Sequence, residues 1–134
     1  MRTLRLERSV YLSLLLLAAA LLWIPSIASA ATFHVRILDE GFKPDNSTIT
    51  VGDTVTWTVK SSIAHTMQPG DDAGGTCAED INHTFSGNGE TFSHTFTVAK
   101  PCYYACPLHG AGMNGVVNVK PKANDSDTTT TLPK

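Results

Sequence analysis

Cys106-Pro107-Leu108-His109-Gly110-Ala111-Gly112-Met113 places a thiol, an imidazole and a thioether within eight residues. The stretch is flanked by strand-like sequence on both sides. Cys102-Tyr103-Tyr104-Ala105 precedes it, with the aromatic content that suits a strand, and Asn114-Gly115-Val116-Val117-Asn118-Val119 follows. Strand, short loop and strand is therefore the local reading. A second imidazole, His65, stands far upstream in an Ala-His-Thr context, behind another pair of strand-like segments.

Two His, one Cys and a weak axial Met form the ligand set of a blue-copper electron-transfer site. Soft sulfur suits Cu(I), and imidazole serves either oxidation state. A site that holds one geometry in both states reorganises little when an electron passes. The loop spacing is Cys-x2-His-x3-Met. Upstream, Phe42-Lys43-Pro44 is followed by Ile49-Thr50-Val51-Gly52-Asp53-Thr54-Val55-Thr56-Trp57, which leads to His65. Together these motifs resemble the small cupredoxins of the plastocyanin, pseudoazurin and halocyanin type, over roughly Thr32 to Lys120.

The resemblance implies a mononuclear type 1 copper that cycles between Cu(I) and Cu(II). It implies His65, Cys106 and His109 as the strong ligands and Met113 as the weak axial one. It implies a carrier of single electrons between redox proteins, with no catalytic residues. The outer edge of His109 would face solvent as the electron port, and Pro107, Leu108, Gly110 and Ala111 would let a partner approach closely.

The residues support an all-β chain independently. Phe33, Val35 and Ile37 alternate with Thr32, His34 and Arg36, and Val55, Trp57 and Val59 alternate with Thr54, Thr56 and Thr58. Gly41 to Asn46 and Gly52-Asp53 carry turn chemistry. Thr91 to Val98 reads as another strand, with Phe92, His94, Phe96 and Val98 sharing one parity. Strands separated by turns, without helical periodicity, predict a Greek-key β-sandwich. Met67 to Glu90 reads as a long polar connection carrying Asp71, Asp72, Glu79 and Asp80, an acidic cluster read as solvated. His34, His83 and His94 are expected off the metal site.

Export is the expected fate. Arg2, Arg5 and Arg8 precede an apolar run from Val10 to Ile24, and Ala28-Ser29-Ala30 supplies a small-residue cleavage pattern. Residues 1–30 are thus read as a signal peptide, 31–120 as the copper domain and 121–134 as a disordered tail. The apolar run is short for a spanning helix and ends at Pro25, although a retained anchor is the alternative. No Cys stands at the cleavage point to take a lipid. Cleavage one residue later would put His34 third, where a free amine and that imidazole can bind Cu(II).

Losing the leader removes three basic residues and one acid. The remainder carries seven basic and eleven acidic side chains, a formal net charge of −4. A nucleic-acid partner wants the opposite sign, so redox proteins are the expected partners. The expected form is a monomer in the periplasm or outside the cell, without a membrane span once mature.

Export also favours disulfides. With Cys106 assigned to copper by resemblance, Cys77 and Cys102 remain to pair. Cys102 and Cys106 lie four apart on one strand face, however, so thiol chemistry or shared metal binding between them stays open. Cys102-x3-Cys106 with His109 and Met113 resembles the binuclear copper A centre in part, although the gaps differ. Cys102 to Pro107 also fits a Cys-x3-Cys-Pro thiol oxidoreductase or copper-assembly motif, which normally needs helices. A copper carrier on the same fold is a further alternative.

Overall fold

The structure, a computed structural model, describes residues 29–110 and 112–123. Most of the leader and most of the C-terminal tail predicted from sequence fall outside the described residues, as does Ala111. Among the described residues there are nine strands, one 3-10 turn and no α-helix. The strands are β1 (Thr32–Leu38), β2 (Gly41–Lys43), β3 (Asn46–Thr50), β4 (Thr54–Val59), β5 (His65–Pro69), β6 (His83–Phe85), β7 (Thr91–Thr95), β8 (Pro101–Ala105) and β9 (Asn114–Lys120). The 3-10 turn spans Pro107–His109.

They form two sheets, ordered β2-β1-β4-β7 and β3-β9-β8-β5-β6. Each sheet is mixed: β1 runs parallel to β4, and β3 runs parallel to β9. The chain changes sheet between β2 and β3, and again between β3 and β4. The result is the expected all-β, Greek-key sandwich.

Period-two alternation explains the packing. Val55, Trp57 and Val59 of β4 are buried, while the threonines between them stay half-buried. Trp57 from one sheet meets Tyr104 from the other edge to face, at 5.6 Å between ring centres. Phe42 closes on Tyr104 at 4.8 Å. These rings bridge the layers in the T-shaped geometry that aromatic quadrupoles favour. Burial pushes the Tyr104 phenol up to about 12. Gly115 faces Tyr104 across the β8–β9 ladder. A side chain there would place its Cβ 2.4 Å from the Tyr104 ring, so only glycine lets the ring lie flat across β9.

Two expectations about segment lengths need correction. The Thr91–Val98 strand ends its ladder at Thr95. Beyond it, Phe96 pairs with the β3–β4 turn: its N–H donates to Asp53 and its carbonyl accepts from Gly52. The Thr97 and Val98 amides turn to the Glu79 carboxylate, at 2.6 and 2.8 Å. The long connection is also shorter than Met67 to Glu90. Met67 is buried in β5 and pairs with His83 of β6.

The acids of that connection are its internal braces as well as solvated charge. Asp71 accepts from the Ala73 and Gly75 amides, and Asp80 accepts from the Asn82 amide. Burial alone would raise the Glu79 pKa. Hydrogen bonds from Thr97, His94 and the Val98 amide outweigh it and hold the carboxyl below its ordinary value. Cys77 and Cys102 form a disulfide that ties the connection to β8.

Candidate metal centre

Cys106 follows the last residue of β8, with extended backbone, and is fully buried. It carries on the strand parity of Cys102 and Tyr104, whose side chains also point inward. The chain then turns through Pro107–His109, with the His109 amide donating to the Cys106 carbonyl at 3.2 Å. Pro at the start of this turn costs nothing, because its missing N–H has no partner to lose there. The Cys106 amide donates to the Met113 carbonyl at 2.9 Å, and Ala105 pairs with Asn114. The loop is therefore the closed end of the β8–β9 hairpin.

His65 enters from β5, pinned by β6 on one side and β8 on the other. Its Nδ1 lies 3.9 Å from Cys106 Sγ, and His109 Nδ1 lies 3.2 Å from the same sulfur. One ligand atom from each of the three residues falls within a 4.8 Å span. The two rings stand 4.7 Å apart between centres. The Thr66 amide also points at Cys106 Sγ, at 3.4 Å. Such a donor stabilises negative charge on sulfur.

The far side of His65 is occupied. Its Nε2 sits 2.8 Å from Ser61 Oγ, and that hydroxyl in turn donates to Asp39. The Ile63 amide also donates to Ser61 Oγ, at 3.1 Å. With Ser61 donating to Asp39, Nε2 carries the proton and Nδ1 keeps its lone pair toward Cys106. Burial, reinforced by the nearby His109, lowers the His65 pKa and favours the neutral ring, the form that ligates a metal.

A thiol and two imidazole nitrogens aimed at it, in a cluster open only at His109, fit a copper ion of the blue type by donor chemistry. The chain belongs to the plastocyanin/azurin family. The family model "Copper binding proteins, plastocyanin/azurin family" matches residues 32–120. A chloroplastic plastocyanin of Physcomitrium patens is 36% identical over 112 residues, covering 78% of this chain and 67% of that protein. A purple cupredoxin of Nitrosopumilus maritimus superposes with a TM-score of 0.57 at 28% identity, covering 66% of this chain and 99% of its own. The reduced Cu(I) form of an amicyanin P52G variant gives 0.55 at 27% identity, covering 71% and 87%. This cupredoxin thus binds one copper ion, and its candidate site is His65, Cys106 and His109.

Met113 is buried at the C-terminal end of the loop, with its carbonyl on the Cys106 amide. Leu108 is 60% exposed, Pro107 and Gly110 are exposed, and His109 is half-buried. The other histidines lie outside the cluster. His34 is exposed on β1. His83 bonds to Glu90 at 3.1 Å and stacks on Phe92, and His94 bonds to Glu79 at 2.6 Å. Because Cys102 is bridged to Cys77, the binuclear alternative loses its second thiolate and the Cys102–Cys106 thiol pair does not form. Sequence reasoning missed Ser61, Asp39 and the Thr66 amide. A serine four residues before a histidine carries no periodic or motif signal.

Proposed function

We propose that this cupredoxin is an exported single-electron shuttle, using one mononuclear type 1 copper held by His65, Cys106, His109 and, weakly, Met113. When bound, the ion supplies a one-electron Cu(I)/Cu(II) couple; the chain's own residues do the rest. Cys106 and the two imidazoles hold the ligand positions. Ser61 fixes the His65 ring. Buried surroundings exclude water from all but the His109 edge. The observation that carries the reading is the triangle of Cys106 Sγ with Nδ1 of His65 and His109, buried at the first two corners and half-buried at the third.

The half-buried His109, beside exposed Leu108, is the proposed electron port to redox partners. The reading is of a monomeric carrier and not an enzyme, with residues 1–30 removed as a signal peptide, 31–120 as the copper domain and 121–134 as a tail. Among the described residues no helix is long and apolar enough to cross a membrane. A periplasmic or extracellular site agrees with the disulfide.

The test is an absorption and electron-spin-resonance spectrum of the mature protein with one equivalent of Cu(II). An intense thiolate-to-copper band with one-copper hyperfine structure is expected. A spin shared over two nuclei would return Cys102 to the site. A pale adduct would mean that Cys106 is not bound, and the shuttle reading would fall. A copper carrier on the same ligands would instead exchange metal readily and electrons slowly.

A further inference from the structure

The β3–β4 turn holds a carboxylate that the metal centre does not use. Asp53 is 6% exposed. Its Oδ2 accepts from the Thr50 amide and the Thr50 hydroxyl, both at 2.9 Å. Its Oδ1 accepts from the backbone nitrogen of Ala31 at 2.8 Å. The Ala31 carbonyl accepts from the Thr54 amide, also at 2.8 Å. Ala31 is thus clamped on both sides, just where β1 begins its parallel register with β4 at Thr32 and Thr54. The hydrogen bonds from Ala31 and Thr50 hold the Asp53 carboxyl below its ordinary value. The other charge facing it is Lys122, and among the described residues no cation pairs with it. Lys122 acts on the carboxylate only from beyond ion-pair distance, whereas a cation at the Ala31 nitrogen would sit in direct contact with Oδ1.

We propose that Asp53 is a built receptor for an α-ammonium group at Ala31. This rests on the leader reading. A signal peptidase hydrolyses the Ala30–Ala31 bond with one water, so Ala30 leaves as a carboxylate and Ala31 keeps the nitrogen as –NH3+. The atom that was a neutral amide donor to Asp53 becomes its ion-pair partner, with no movement of the strand. A chain that starts at Thr32, which puts His34 third, would lack both bonds of the clamp. Maturation and folding are then coupled: the processed chain gains an interaction that the precursor lacks.

The test uses the copper-loaded protein exported from the full chain. Intact mass should show a chain that starts at Ala31. The α-amine, followed by NMR, should titrate at least about one unit above its ordinary 7.7–8.0, and Asp53→Asn should return it to that range. A protein that retains Ala30 has a neutral amide at Ala31, and it should melt several degrees lower. Should Asp53→Asn fail to fold, the Ala30-retaining protein, with Asp53 intact, still decides. A different terminus would show the leader reading wrong and overturn the proposal with it. The right terminus with an ordinary α-amine midpoint, or with no loss of Tm on retaining Ala30, would leave the leader reading standing and overturn the receptor alone.

Discussion

The two histidines of the candidate metal centre live in different worlds. His65 is 1% exposed, rises from a strand with a partner on each side, and has its outer nitrogen bonded to Ser61 and through it to Asp39. His109 is half-buried on a three-residue turn, beside a leucine that is 60% exposed. Both aim Nδ1 at the same sulfur. One half of the candidate site is held on both sides, and the other lies at the surface. The proposed electron shuttle would use both, the rigid half to limit reorganisation and the open one for partner contact.

Removing the shared sulfur should have the largest effect. Cys106→Ser should abolish the intense visible band of the Cu(II) protein, leaving a pale adduct, as an absorption spectrum will show. Next come the histidines taken separately. Copper in the His109→Gly protein should regain much of its spectrum when free imidazole is added, because the gap opens near the surface. The His65→Gly protein should not, since imidazole has no comparable route. Equal rescue would erase the proposed contrast.

Ser61→Ala should act on the still half alone. It strands the outer nitrogen of His65 and frees the ring to turn. Loss of such outer partners typically costs about 10–100-fold in metal affinity, measurable by competition with a chelator, together with a shifted potential. Leu108→Lys should act on the open half alone, changing the partner electron-transfer rate while the spectrum stays put. If the rate also stays put, His109 is not the port.

The smallest effect should come from Glu79→Gln, remote from both halves. The folded pKa of Glu79 lies below its unfolded value, so its contribution is present above about pH 4.5. That contribution fades as the pH falls through the folded value. Denaturation midpoints measured from pH 7 to pH 3 should fall less steeply for the variant than for the native chain.

Much of this was legible in the sequence, for physical reasons. Alternation exposes strand faces, so the inward set of Val55, Trp57 and Val59 could be read directly. The loop ligands sit within eight residues, and a short-range pattern survives in one dimension. Hidden from the sequence are hydrogen bonds from a side chain to partners far away in the chain. Glu79 ends β7 by capturing amides 18 and 19 residues away. Ser61 reaches Asp39 across 22 residues. Neither has a period or a motif. The three-residue β6 is too short to show alternation at all, so the sequence there reads as loop.

The hairpin closure of the metal loop has an evolutionary consequence. The loop leaves one strand and returns on its immediate neighbour, with Ala105 facing Asn114 at the mouth. Whatever lies between those two residues can lengthen or shorten without altering the order of any strand. Changing the length of such a segment costs only about 0.6 kcal/mol per doubling. His65, anchored in β5, would remain in place throughout. The sandwich is thus a chassis and the loop an exchangeable cassette: new potentials and new partners can be tried by rewriting the residues between buried Cys106 and Met113, with the order of the strands unchanged.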